Sequence, residues 1–122
     1  YAVDAGAATD LTETQFNIPR AKVHGLITGI EFIANATLAA DATNYKTLTV
    51  TKYAADGTTP VVVGTMTTVL VTTKWVAKAF TLSAVAGALN ILEGDTFTIQ
   101  NSHAASGAVT PAGQIRITGK VQ

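Results

Sequence analysis

Few residues in this chain have the types and spacing that chemistry demands. His24 and His103 are the only histidines, and Ser83, Ser102 and Ser106 the only serines. A hydroxyl nucleophile needs an imidazole base and a carboxylate that orients it. No serine stands in a Gly-x-Ser-x-Gly elbow, so both histidines read as surface or interface imidazoles. Glu93 and Asp95 flank Gly94. Glycoside hydrolysis needs two carboxylates on either side of the scissile bond. At spacing i, i+2 the pair reads instead as one solvated turn whose Asp caps the backbone. Neither that turn nor Asp56-Gly57 belongs to a D-x-[DN]-x-[DN]-G calcium loop. Two distant histidines and no cysteine make a poor zinc set. Gly25 and Gly29 are not followed by the Gly-Lys-Thr of a phosphate loop. The expectation is a protein that is not an enzyme and holds no metal or cofactor. Trp75 is the single Trp. Exposed, it would stack on sugar rings, with Tyr45 and Tyr53 extending the platform. The reading favoured by one Trp and three Tyr is an anchor for the core or for an oligomer interface.

The elements that must carry these residues alternate with a period of two, the signature of strands with one dry face. In the last third, residues 96–100 set Phe97 and Ile99 against Thr96, Thr98 and Gln100, and residues 114–118 set Ile115 and Ile117 against Gln114, Arg116 and Thr118. These two runs read as a sheet with one wet side bearing Thr96, Thr98, Arg116 and Thr118. Residues 14–18 form a short edge strand stopped by Pro19. Residues 22–35 are strand-like with mixed parity: Leu26, Ile30 and Phe32 share one face, Val23, Ile27 and Ile33 the other. Either both faces are covered or a bulge near Gly25 or Gly29 resets the register. Residues 47–53 alternate cleanly, and Asp56-Gly57 is a turn signal. Residues 61–71 read as a strand, or as two interrupted at Gly64. Residues 74–82 read as another, with Trp75, Ala77 and Ala79 opposed to Val76, Phe80 and Leu82. Residues 35–44 are a loop or short helical turn starting near Asp41, and 84–89 a small-residue connection. Residues 1–12 are small and weakly patterned and read as an N-terminal arm. Seven or eight turn-linked strands predict an all-β fold, a single-domain sandwich over residues 13–122 preceded by that arm.

Composition narrows the class further. The chain has 122 residues, enough for one domain with a core that needs no staples. Eight basic residues balance eight acidic ones, so no electrostatic footprint for nucleic acid or anionic membrane exists. No apolar run approaches a membrane span. Only 13% of residues are charged, about half the usual share of ~25%. Low self-repulsion suits a molecule packed against other copies or on a larger particle. Ala and Thr occur 21 times each, and Thr is a strand former whose hydroxyl faces water well. The chain opens on Tyr1, the expectation being a processed or trimmed start, with no retained secretory signal.

Taken in order, an Ala/Thr-rich arm, Ile-Pro-Arg-Ala-Lys-Val-His-Gly-Leu-Ile-Thr-Gly-Ile-Glu-Phe at 18–32, Ala-Asp-Ala-Thr-Asn-Tyr-Lys-Thr-Leu-Thr-Val at 40–50, Leu-Glu-Gly-Asp-Thr-Phe-Thr-Ile-Gln at 92–100 and Pro-Ala-Gly-Gln-Ile-Arg-Ile-Thr at 111–118 resemble small jelly-roll-like virion proteins of tailed bacteriophages. Those are capsid decoration proteins and the capsid-proximal domains of head fibres. The resemblance covers most of the chain after Phe16 and carries over no functional residue one by one. It implies a jelly-roll-like sandwich on the outside of the virion head, bound to the major capsid protein as a homo-oligomer, a trimer first, and stabilising the shell. Tyr1 and Asp10 in the arm, Phe16, Trp75 and Arg116 are then the candidate capsid or subunit contacts. The alternative from another class is a carbohydrate-binding module or adhesin domain with Trp75 in the sugar platform.

Overall fold

The computed structural model describes residues 2–3, 14–18, 24–107 and 111–121, with backbone placement alone for the first two segments. Ten strands follow in chain order: β1 (Ala2–Val3), β2 (Thr14–Ile18), β3 (Gly25–Ala34), β4 (Lys46–Tyr53), β5 (Val61–Thr67), β6 (Ala77–Ala79), β7 (Thr81–Leu82), β8 (Asn90–Ile91), β9 (Thr96–His103) and β10 (Gly113–Val121). No helix occurs among the described residues. The strands form two antiparallel sheets. One runs β1-β10-β3-β6, with β8 also on β3, and the other β2-β9-β4-β5-β7. With the two-residue β7 and β8 set aside, the first, last, third and sixth of the remaining strands make one sheet. The second, seventh, fourth and fifth make the other. That interleaving is the jelly roll, an all-β architecture built from two Greek keys. Among the described strands only β4 and β5 are consecutive within one sheet; every other step from one described strand to the next changes sheets.

The core is what the two inner faces share. Ile27, Ile30, Phe32 and Ile115 come from the first sheet, and Leu48, Val50, Val63, Met66, Phe97 and Ile99 from the second. The two closing strands therefore do not pair. β9 and β10 lie in opposite sheets, and the period of two in each aims its apolar residues at the other sheet. This corrects the reading of one half-wet sheet. The outer residues diverge too: Arg116 and Thr118 are exposed on the first sheet, whereas Thr98 is buried on the second.

The mixed parity of residues 22–35 comes from a bulge. Along β10, Thr118 faces Gly29 and the next residue, Gly119, faces Ile27, so Thr28 is the extra residue on β3. Ile27 and Ile30, three apart, both reach the core, as a bulge dictates. Thr28 Oγ1 donates to the Thr118 carbonyl at 3.2 Å. A second bulge places Val63 between the partners of Val50 and Thr51. Next to it, Gly64 has no room for a side chain to spare, since a Cβ there would lie 3.1 Å from Ile30 Cδ1. β5 passes through Gly64 without interruption.

Residues 74–82 are not one strand. β6 pairs with β3 in the first sheet, Phe80 is buried with its N–H on the Ile30 carbonyl at 2.8 Å, and β7 pairs with β5 in the second. The alternation persists through a sheet crossing, which periodicity cannot reveal. Within the segment 1–12, Ala2 and Val3 register with Gln114 and Gly113 of β10, and the rest of it lies outside the described residues.

Candidate functional site

At the end of the sandwich where β3 and β9 finish and β4, β6 and β10 begin, three loops meet: 35–45, 68–76 and 104–112, the last described to 107 and from 111. Small and polar residues there cannot form a core of their own, so backbone hydrogen bonds join them. Leu38 and Thr72 exchange two, at 2.8 and 2.9 Å; Asn35 N–H donates to the Ala112 carbonyl and Ala104 N–H to that of Tyr45, both at 2.9 Å. Asp41 Oδ1 accepts from the N–H groups of Thr43 and Asn44 at 2.9 Å each. These bonds, Asn44 first, hold the Asp41 carboxyl below its ordinary value. Asn44 Oδ1 in turn accepts from Ser106 N–H at 3.1 Å.

On this frame sits a turn. Val76 N–H donates to the Thr73 carbonyl at 3.1 Å, with Lys74 and Trp75 in the middle. Trp75 has φ of 63°, at the position where turns of this kind prefer Gly. A bulky residue there is an outlier that costs roughly 1–2 kcal/mol. Two bonds into the β3 end impose it: Trp75 N–H to the Ala34 carbonyl at 2.9 Å and Lys74 N–H to Thr37 Oγ1 at 3.0 Å. Trp75 is 65% exposed, and the Lys74 ammonium lies 5.4 Å from its ring centroid, within cation–π range. Leu70, Val71 and Val76 in the same loop are exposed as well. Thus Trp75 does not anchor this chain's core, as the favoured sequence reading allowed; it projects from the surface.

Beneath the loop, Lys78 Nζ donates to the Leu70 carbonyl at 2.9 Å and approaches Thr72 Oγ1 at 3.4 Å. Partial burial pushes its amine below the usual lysine range. Lys78 lines a cleft of about 180 Å³ with Met66, Thr67, Leu70, Ala79 and Thr81.

The other candidates that the structure describes do not gather around Trp75. Tyr1 and Asp10 lie outside the described residues. Phe16 is in β2, in register with Ile99 at the edge of the second sheet. Arg116 lies mid-strand on the first sheet, opposite Glu31, and the two form an ion pair at 2.9 Å. Tyr45 precedes β4 and Tyr53 ends it, at opposite ends of the sandwich, so the two tyrosines and Trp75 do not share a platform. The Glu93–Asp95 pair is a turn: Asp95 Oδ2 accepts from Leu92 N–H at 2.9 Å. Asp95 is buried and Glu93 exposed, so the cap is as read but its carboxylate is not solvated. Among the described residues no three His, Asp or Glu side chains converge on a common point, and no helix is long and apolar enough to cross a membrane.

Sequence reasoning missed Leu70, Val71 and Val76 as surface residues, because an apolar run reads as core. It also missed Lys46, which is completely buried. Parity could have found that one, since Lys46 alternates in step with Leu48 and Val50. No family model matches the chain, and no curated protein or solved structure matches it either.

Proposed function

We propose that this chain is a bacteriophage virion structural protein that decorates the outside of the head, binding the major capsid protein as a homo-oligomer, a trimer first, and cementing the shell. The observation that carries the reading is the loop end. There an exposed Trp75 is held in a strained left-handed backbone beside exposed Leu70, Val71 and Val76. Strain retained at a surface position is a marker of function. An apolar cluster rimmed by polar loops marks a protein contact, and Trp is the residue most enriched where contacts carry their energy. The jelly-roll fold is compatible, being used by capsid and lectin domains alike, but fold alone does not assign function. Low charge favours dense packing on a particle.

The test is co-sedimentation with assembled heads. The protein is expected in purified particles at a stoichiometry set by their symmetry sites, and absence from purified virions would sink the reading. The second reading, a carbohydrate-binding module, is favoured by one observation, the exposure of Trp75. It requires glycan-dependent changes in Trp75 fluorescence and signal on a glycan array; silence in both removes it.

A further inference from the structure

The sheet crossing at Phe80 leaves one seam of the sandwich open. β6 ends the row of the first sheet and β7 that of the second. β7 covers β5 at Gly64 and Thr65. Met66 and Thr67 continue past it and share the cleft of about 180 Å³ with Lys78 and Ala79 of β6. The alternation of antiparallel pairs fixes where the backbone points there. Thr68 N–H donates to the Lys46 carbonyl at 3.0 Å, so Thr67, one residue back and opposite Thr47, turns its N–H away from β4. Phe80 N–H donates to the Ile30 carbonyl, so Ala79, opposite Glu31, turns its own away from β3. Two strand edges thus each bring a backbone N–H to the side on which Thr67 and Ala79 line the cleft.

Lys78 supplies the charge. It stands opposite Phe32 in register, on the inner face of the first sheet. An ammonium has three donors. Here two meet neutral oxygens, the Leu70 carbonyl and Thr72 Oγ1, and among the described residues no carboxylate pairs with it. The acid on the neighbouring strand, Glu31, lies opposite Ala79 on the outer face and is bound to Arg116 at 2.9 Å. A partly buried cation without a counter-charge carries a cost that an anion relieves, and the lowered amine of Lys78 is the mark of that cost.

We infer that this cleft is a carboxylate-binding site, taking a single acid group on a short apolar stem. The carboxylate meets Lys78 Nζ and the N–H groups of Thr67 and Ala79, and the stem lies against Met66 and Leu70. One ammonium matches one negative charge; the second charge of a phosphate would have no partner here. The volume suits a ligand of about six heavy atoms, since a cavity of about 150 Å³ takes a benzene. A free short-chain acid and the side chain of a glutamate both end in that group. The inference is independent of the role on a virion head.

Amide and methyl NMR spectra of the full chain, titrated with butyrate, test it. The expected result is saturable shifts of the Thr67 and Ala79 amides and the Met66 methyl. Butyramide has the same shape without the charge and should bind about tenfold more weakly or worse, the worth of one hydrogen bond to a charged group. n-Butylammonium should leave these signals unmoved. Lys78→Met keeps the length of the side chain and loses its charge, and should weaken butyrate binding to the same degree. Should that variant fail to fold, the ligand series on the unaltered chain decides alone. A capped glycine peptide with a single glutamate separates the two sources. Saturation by the peptide at lower concentration than by butyrate assigns the cleft to an acidic side chain of a docked protein, and the reverse order to a free acid. No saturable shift at Thr67 and Ala79 with either probe overturns the inference. Equal binding of butyrate and butyramide overturns it as well.

Discussion

Two turns in this molecule share a backbone and differ in everything else. Leu92-Glu93-Gly94-Asp95 and Thr73-Lys74-Trp75-Val76 each close with a hydrogen bond of 3.1 Å from the fourth N–H to the first carbonyl. Each puts its third residue at positive φ, Gly94 at 92° and Trp75 at 63°. In the first turn the third residue is the one that costs nothing there. The fourth, Asp95, folds inward and caps Leu92 N–H. In the second the third residue is the bulkiest of all, and the fourth, Val76, stays exposed. The first turn reverses the chain and is finished. The second accepts strain and sets an aromatic ring in solvent. Chemistry that looked like a site, two carboxylates around a glycine, is structural, and an aromatic that looked structural is the feature that faces outward.

The comparison can be broken by substitution. Trp75→Ala should have the largest effect, and on binding alone: affinity for assembled heads falls about 30-fold or more, the ~2 kcal/mol of a central contact residue, with an unchanged urea midpoint. An unaltered affinity moves the contact elsewhere. Asp95→Ala should act on folding alone, costing about 2 kcal/mol by leaving Leu92 N–H without its charged acceptor, visible as a lowered urea midpoint with head binding intact. Gly94→Ala should cost roughly 1–2 kcal/mol. Its counterpart, Trp75→Gly, should have the opposite sign, raising stability by about 1 kcal/mol through relief of the left-handed strain while binding is lost. Equal signs for those two variants would show that the turns are not the same device.

The smallest effect is in acid. Asp41, and Asp56 in the β4–β5 connection, are both lowered from an ordinary value of 3.8, the first chiefly by Asn44 N–H and the second by the Thr58 hydroxyl. Groups lowered in the fold stabilise it fully above the unfolded value and cease to do so as pH falls through the folded one. Amide shifts of Thr43, Asn44 and Thr58 should therefore titrate with midpoints below 3.8. A midpoint at or above that value would break the assignment.

What could be read from the chain was whatever is local. The alternation of Leu48 and Val50, or of Phe97 and Ile99, needs only neighbours two residues away, and it marked strands whose inner faces are buried. A glycine beside mixed parity flagged the bulge at Thr28. The assignment of β9 and β10 to opposite sheets was not legible, because alternation names the dry face of a strand and not the partner across the core. The crossing at Phe80 was hidden for the same reason. At Trp75 the ordinary preference of a large aromatic for burial pointed inward. The contrary signal is the positive φ imposed by Ala34 and Thr37, and that exists only once β3 is in place.

The interleaving of strands has a consequence in time. Among the described strands only the β4–β5 pair can form from consecutive strands, since every other consecutive step changes sheets. β10 must wait to find β3, and β9 to find β4 and β2. Chains dominated by such distant pairings fold on a scale of roughly milliseconds to seconds. The β4–β5 hairpin is then the natural nucleus, and substitutions at Leu48 or Val63 should slow folding, while those in β10 mainly hasten unfolding. A subunit of this kind completes its fold before it has a loop end to offer, because the carbonyl that sets Trp75 belongs to a strand that β10 seals late.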